Sequence, residues 1–139
     1  MNILAHLFSV LLAARHLNLS SSDMALAVIF GVLLDADHIL KLPLYYSLPK
    51  SKRKRHFNWR TPLQEPVSLL WIVPLSIYLQ TMVPVLFFIL HLALDYLMSY
   101  PKKPFFPYSN FSLKPTQKLK RDLAFEIIFT VVLCIFLVV

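Results

Sequence analysis

Four long apolar runs decide what this chain is able to fold into. They cover residues 1–14, 24–42, 66–100 and 123–139, which is more than half of the 139 residues. A helix needs about 20 apolar residues to cross a bilayer, so the third run is long enough for two helices with a turn near residues 80–84. The sequence therefore predicts an all-α, membrane-embedded bundle of four to five helices, with residues 1–139 forming a single domain.

The composition supports this class and excludes several others. Hydrophobic residues make up 58% of the chain and charged residues only 15%, against about 45–50% and about 25% in typical globular proteins. So apolar a chain would collapse, which excludes a disordered protein. Cys134 is the only cysteine and Gly31 the only glycine. A disulfide scaffold and a glycine-rich phosphate loop are therefore excluded.

The basic residues fall into two clusters, which predict two loops over about residues 43–65 and 101–121. Thirteen of the 14 lysines and arginines belong to the clusters, and Arg15 is the exception. Because basic loops favour the cytoplasmic side, we expect a multi-pass protein of the cell membrane with its N-terminus and both loops in the cytoplasm. The predicted partners are membrane lipids with anionic head groups. Nucleic acid is an unlikely partner, and the sequence leaves the oligomeric state open.

Histidines and carboxylates gather at the same predicted face. This topology follows from lysine and arginine alone, yet it brings together polar residues from several segments. They are His6, Asp35, Asp37, His38, His56, Glu65, His91 and Asp95. Ionisable groups in apolar sequence are costly and commonly functional. We therefore expect a shared site.

The spacing within two segments supports that site. His91 and Asp95 are four residues apart and Asp35 and His38 three, so each pair shares one helical face. Asp37 is rotated away from Asp35 and need not point to the same place.

A stripe of small residues predicts how the segments meet. Ala27, Gly31 and Asp35 follow one another at intervals of four residues. Small side chains let a neighbouring helix approach closely, and we expect that neighbour to be the first helix with His6.

The chemistry of these groups predicts a divalent transition metal, most likely zinc among the candidates. Asp35, Asp37 and Asp95 lie near predicted helix C-termini, where negative charge is unfavourable and a metal or basic side chains must compensate. Imidazole with carboxylate suits zinc, manganese or iron. The predicted ligands from the residues alone are His6, Asp35, His38, His91 and Asp95. The alternatives are structural: a hydrogen-bonded His6, a structural His91–Asp95 pair, a solvated His56 and a Glu65 that interacts with a helix dipole.

The motifs resemble those of the membrane-bound metal-dependent hydrolase family of the bacterial inner membrane that is linked to the LexA regulon. The matching features are His6, the Gly-x-Leu-Leu-x-Asp-x-Asp-His segment from Gly31 to His38, and the His-Leu-x-Leu-Asp segment from His91 to Asp95. A Pro-Phe stretch over residues 104–107 follows. The order covers most of the chain. The resemblance implies a helical membrane protein with metal-dependent hydrolase activity. The family in turn resembles, more remotely, zinc phospholipases C and related nucleases, and that similarity implies phosphoester hydrolysis.

One family motif is altered in this chain. Family members carry a His-Arg-x-x-Thr-His-Ser type motif between the two segments, where this sequence has Arg-Thr-Pro-Leu-Gln-Glu-Pro over residues 60–66. The resemblance implies that His56 replaces the first histidine as a metal ligand and that Glu65 stands in place of the second.

Three functions follow from these observations. The first is a metal-dependent hydrolase of a phosphoester or lipid head group, with Asp37 or Glu65 as general base and Arg60 binding the anionic group. The alternative is a non-enzymatic, membrane-anchored binding or adaptor protein that acts through its basic loop. A transporter subunit is a third hypothesis, which the clustering of ionisable residues at one face disfavours.

Overall fold

The computed structural model describes residues 3–49, 52, 61–97, 105, 111 and 119–139, and the regular structure among them is helical, with no strand. This part of the chain contains six α-helices. They are α1 (Ile3–His16), α2 (Ser21–Gly31), α3 (Asp37–Ser47), α4 (Leu69–Tyr78), α5 (Val83–Leu97) and α6 (Leu119–Val138). The prediction of an all-α fold is confirmed.

The second apolar run forms two helices instead of one. The α2 helix starts at Ser21, because the Ser20 side chain caps it by accepting a hydrogen bond from the Asp23 amide. It ends at Gly31, a 3₁₀ turn covers Leu33–Ala36, and α3 starts at Asp37. Asp37 therefore lies in the first turn of a helix, where the dipole favours a carboxylate. The prediction that it lies near a helix C-terminus is wrong.

The third apolar run forms the predicted pair of helices. Two short 3₁₀ turns, Pro62–Gln64 and Pro66–Ser68, lead into α4, which contains Pro74. The helix α4 ends at Tyr78 and α5 begins at Val83, and Gln80 takes a positive φ of 53° in the turn between them. The Thr81 hydroxyl donates to Asp23 Oδ1 at 3.2 Å and so ties this turn to the start of α2.

The core forms where α2 packs between α1 and α5. Ala27, Phe87 and Phe88 are almost fully buried there. A Cβ atom added to Gly31 would clash with Val10 Cγ2 on α1 and would touch Phe87 on α5. Only glycine fits this position without a shift of its neighbours. The predicted close approach of the first helix to the small-residue stripe is confirmed.

The last helix, α6, packs against α1. Leu133 is its one buried side chain among described residues 124–139. At the far end, Arg15 Nη1 donates to the Leu137 carbonyl oxygen at 3.2 Å. A cation at this position satisfies a carbonyl that the helix itself leaves without a partner.

None of the described helices combines the length and the apolar content that a membrane crossing needs. The longest helix before residue 98 has 15 residues, or about 22 Å, against a hydrocarbon core of about 30 Å. The α6 helix has 20 residues but contains Lys120, Arg121, Asp122 and Glu126. The prediction of a multi-pass protein of the cell membrane with cytoplasmic loops is therefore wrong.

The predicted loops also need correction. The helix α3 continues to Ser47, so the first predicted loop cannot begin at residue 43. The second predicted loop extends to residue 121, whereas α6 already begins at Leu119. All but a few of the residues of that loop lie outside the described part of the chain.

Candidate metal centre

Four side chains from three elements meet in the interior of the fold. His6 comes from α1, Asp35 from the 3₁₀ turn after α2, and His91 and Asp95 from one face of α5. Each offers one ligand atom, and these atoms all lie within 4.8 Å of one another. The fold therefore holds a buried His/Asp group that is able to bind a metal ion.

Each carboxylate lies near the Nε2 atoms of both imidazole rings. Asp95 places Oδ1 at 3.2 Å from His6 Nε2 and Oδ2 at 3.9 Å from His91 Nε2. Asp35 places Oδ2 at 3.6 Å from His6 Nε2 and Oδ1 at 3.6 Å from His91 Nε2. The two rings stack with centroids 4.3 Å apart and planes 18° apart. The two Nε2 atoms therefore face the same pair of carboxylates.

The Gly31 carbonyl fixes the protonation of the His91 ring. His91 Nδ1 lies 3.1 Å from the Gly31 oxygen, and a carbonyl only accepts, so Nδ1 carries the hydrogen. In the neutral ring Nε2 then has a lone pair. This atom is buried without a hydrogen-bond partner among the described residues. Its nearest ionic neighbours are carboxylate oxygens, which also carry lone pairs, so a cation placed among them would give this nitrogen a partner.

Burial keeps His91 in the form that binds metals. Desolvation is the largest influence and lowers its pKa below the ordinary 6.5, although the charges of Asp95 and Asp35 act in the opposite direction. A ring with a lowered pKa is neutral at neutral pH. Metal binding to His91 therefore needs no displacement of a proton from Nε2.

The distances in the group fit a small transition metal. Tetrahedral zinc with bonds of about 2.0–2.1 Å would separate its N and O ligands by about 3.3–3.4 Å. The four observed N–O separations are 3.2, 3.6, 3.6 and 3.9 Å. Small side-chain movements would bring them to that value. The hydrogen bond from His91 to Gly31 is the outer contact that zinc-binding histidines commonly make.

Access to the four residues is uneven. The side chains of His6 and His91 are completely buried, and that of Asp95 is 4% exposed. Asp35 is 11% exposed and neighbouring His38 is 20% exposed. A solvent molecule or substrate would therefore reach the group past Asp35 and His38.

His38 lies beside the group but outside it. Its Nε2 is 3.7 Å from Asp35 Oδ1 and its Nδ1 is 3.3 Å from Asp37 Oδ1. The predicted pairing of Asp35 with His38 is present, yet His38 is not one of the four converging residues.

Asp37 is anchored by residues that the sequence did not single out. Thr61 Oγ1 donates to Asp37 Oδ2, and Gln64 Nε2 donates to Asp37 Oδ1 at 2.7 Å and to Asp35 Oδ1 at 3.2 Å. The expectation that Asp37 points away from Asp35 is therefore wrong, because the 3₁₀ turn breaks the helical rotation between them. The signal available in the sequence was a polar Gln64 between the turn-forming Pro62 and Pro66.

Glu65 is buried next to the group. Its Oε2 accepts a hydrogen bond of 2.7 Å from the Tyr96 hydroxyl, and Tyr96 follows Asp95 on α5. Glu65 lies between the two 3₁₀ turns and is the N-cap residue of the second, which leads directly into α4. The other two predicted site residues, His56 and Arg60, lie outside the described residues, so their predicted roles stay predictions.

Comparisons with known proteins add no assignment to this centre. No protein-family model, no curated protein and no solved structure matches the chain. The resemblance to membrane-bound metal-dependent hydrolases thus rests on the motifs alone, and the buried group of His6, Asp35, His91 and Asp95 is the feature from which a function has to be argued.

Proposed function

We propose that this protein is a metal-dependent hydrolase of phosphoesters, with a zinc-like ion held by His6, Asp35, His91 and Asp95. The observation that carries the proposal is the His91 ring. Its protonated Nδ1 faces the Gly31 carbonyl and its buried Nε2 faces Asp35 and Asp95. An ion bound there would polarise a phosphoryl oxygen and make a bound water more acidic.

Asp37 and His38 are the residues to which we assign proton transfer. Thr61 and Gln64 hold Asp37 in place, and Asp37 Oδ1 lies 3.3 Å from His38 Nδ1. This contact orients the ring so that Nε2 faces Asp35 at the more exposed edge of the group. A proton removed from water at that edge would pass to His38 Nε2. Glu65, the other predicted base, is the weaker candidate because its carboxylate already accepts a hydrogen bond from the Tyr96 hydroxyl.

The substrate class is an anionic phosphoester. Phospholipid head groups are the members of that class that the family resemblance favours. The cationic residues assigned to the substrate's charge are Arg60 and neighbouring lysines of the basic cluster. The metal would supply the remaining positive charge at the site.

Metal analysis tests the centre first. We expect purified wild-type protein to retain about one equivalent of zinc after gel filtration. His91→Ala and Asp35→Ala should retain less than about a tenth of an equivalent, because each removes a ligand. His16→Ala is the matched control, since His16 is exposed at the end of α1, and it should bind like the wild type. A wild type that binds no metal under replete conditions would end this proposal.

Activity is then measured on the variants that keep the ion. Bis(p-nitrophenyl) phosphate, p-nitrophenyl phosphate and a phospholipid serve as substrates. We expect Asp37→Asn and His38→Ala to keep zinc and to lose about 10²-fold or more of the turnover. Turnover that is the same in these variants and the wild type would contradict their assignment.

A second candidate function is a structural metal centre in a non-enzymatic binding or adaptor protein. The observation that favours it is the completeness of the group, because four buried protein ligands fill a tetrahedral ion and leave no open position. In that case chelation would unfold the protein and no phosphoester would be hydrolysed. Neutralising Lys52 to Arg55 would then abolish partner binding, while His91→Ala would lower stability alone.

A further inference from the structure

A second set of metal-binding groups adjoins the first, and the amide of Gln64 lies between its members. The set consists of Asp35 Oδ1, Asp37 Oδ1 and the His38 ring. His38 Nε2 lies 3.7 Å from the first oxygen, and the other ring nitrogen, Nδ1, lies 3.3 Å from the second. Gln64 Nε2 lies 3.2 Å and 2.7 Å from the same two oxygens. The amide hydrogens and the histidine thus face the same atoms.

The Gln64 side chain is firmly held in this position. It is completely buried, and Nε2 also lies 3.2 Å from the Leu34 carbonyl oxygen. The prolines on either side restrict the backbone of the turn that carries it. The partly positive amide hydrogens therefore supply the two aspartates with the contacts that a cation would otherwise make.

We propose that the Gln64 amide occupies the place of a second cation and thereby limits the centre to one metal ion. An ion bound to Asp35 Oδ1 and Asp37 Oδ1 would have bonds of about 2.0–2.2 Å. It would lie in the space that now contains the amide hydrogens. The partial positive charge of those hydrogens would repel the ion. The inference rests on the proposed metal centre, and it adds the number of ions and the residue that sets that number.

Replacing the amide with a ligand tests the inference. Gln64→His supplies a nitrogen ligand without adding negative charge, and its ring N–H is still able to donate to Asp37 in the metal-free protein. Gln64→Glu supplies a carboxylate. We expect about two equivalents of Zn²⁺ in both variants and about one in the wild type, measured by elemental analysis after gel filtration and by calorimetric titration with Zn²⁺ alone.

The matched controls are Gln80→His and Gln80→Glu. Gln80 is exposed in the turn between α4 and α5, so the same chemical changes there should leave the number of bound ions at about one. If Gln64→Glu folds poorly without metal because it brings a third carboxylate beside Asp35 and Asp37, its melting temperature should rise more with Zn²⁺ than that of the wild type. Gln64→His gives the stoichiometry independently.

The outcomes separate this inference from the proposed function. Two equivalents of Zn²⁺ in the wild type would show that the Gln64 amide rotates and coordinates through its oxygen. That result would overturn the inference and leave a metal centre in place. One equivalent in both Gln64 variants, with the wild-type melting response to Zn²⁺, would overturn it as well. No bound ion in any of the proteins would reject the metal centre and this inference with it.

Discussion

Gly31 contributes both to the packing of the helices and to the geometry of the metal-binding group. Its missing side chain lets Val10 of α1 lie against α2, which brings His6 to the interior. Its carbonyl oxygen accepts the hydrogen bond that orients His91. One residue thus positions both histidines of the group, the first by its small size and the second by its backbone.

Gly31→Ala should disturb both functions of this residue. The added methyl group would push Val10 away, and we expect a loss of about 1–3 kcal/mol in the free energy of unfolding. Displacement of the carbonyl should weaken zinc binding by about 10–100-fold. Chemical denaturation and calorimetric titration measure the two effects.

The control for Gly31→Ala is the double variant with Val10→Ala. That change removes the methyl group with which the new side chain clashes, so zinc binding should recover in the double variant. Binding that stays as weak as in Gly31→Ala would show that the clash with Val10 is not the cause.

At the scale of elements, the breaks between helices determine the site. The predicted helix over residues 24–42 is interrupted after Gly31, and the interruption places Asp35 and Asp37 on one side, where Gln64 contacts both. At the start of α2 the Ser20 side chain provides the cap, so this boundary has a local cause. The break at Val32 has no proline and only a weak sequence signal, because tertiary packing decides it.

The attachment of α6 depends on fewer contacts than that of α2. Leu133 is 8% exposed, whereas Ile135 on the same helix is 56% exposed. We expect Leu133→Ala to lower the free energy of unfolding by about 2–5 kcal/mol, and Ile135→Ala to change it by no more than about 0.5 kcal/mol. Denaturant titration of both variants checks this. Equal effects would contradict the packing of α6 through Leu133.

At the scale of the whole molecule, the apolar runs predicted helices well and membrane crossing wrongly. The predictions of an all-α fold and of a turn near residues 80–84 are confirmed, since one helix ends at Tyr78 and the next begins at Val83. Hydropathy alone could not show that the runs end in turns after 10 to 15 residues. The grouping of His6, Asp35, His91 and Asp95 was predictable, because ionisable residues are costly in apolar sequence unless they interact with one another. Gln64 and Thr61 were missed, since uncharged residues in a turn carry no such signal.

The burial of His91 makes the stability of the metal-free molecule depend on pH. Its pKa in the folded state is below 6.5 because of desolvation, so the unfolded chain binds more protons between the folded and unfolded pKa values. Stability is therefore complete above about pH 6.5 and decreases as the pH falls below it. Denaturation in the presence of a chelator at pH 7.5, 6.5 and 5.5 measures the effect.

His91→Gln provides the reference for the pH series. Glutamine does not titrate, so the decrease in stability over this window should be smaller in the variant than in the wild type. The same slope in both proteins would show that other groups cause it.

The separation of the ligands along the chain has a consequence for biosynthesis. His6 and Asp95 are 89 residues apart, and His91 and Asp95 both lie on α5. A ribosome that has released only the first half of the chain has exposed His6 and Asp35 but neither ligand of α5. An ion held by all four residues would therefore be acquired late, after α5 has emerged and packed. In that case a cell short of metal would accumulate chains whose helices have formed but whose buried group has no ion.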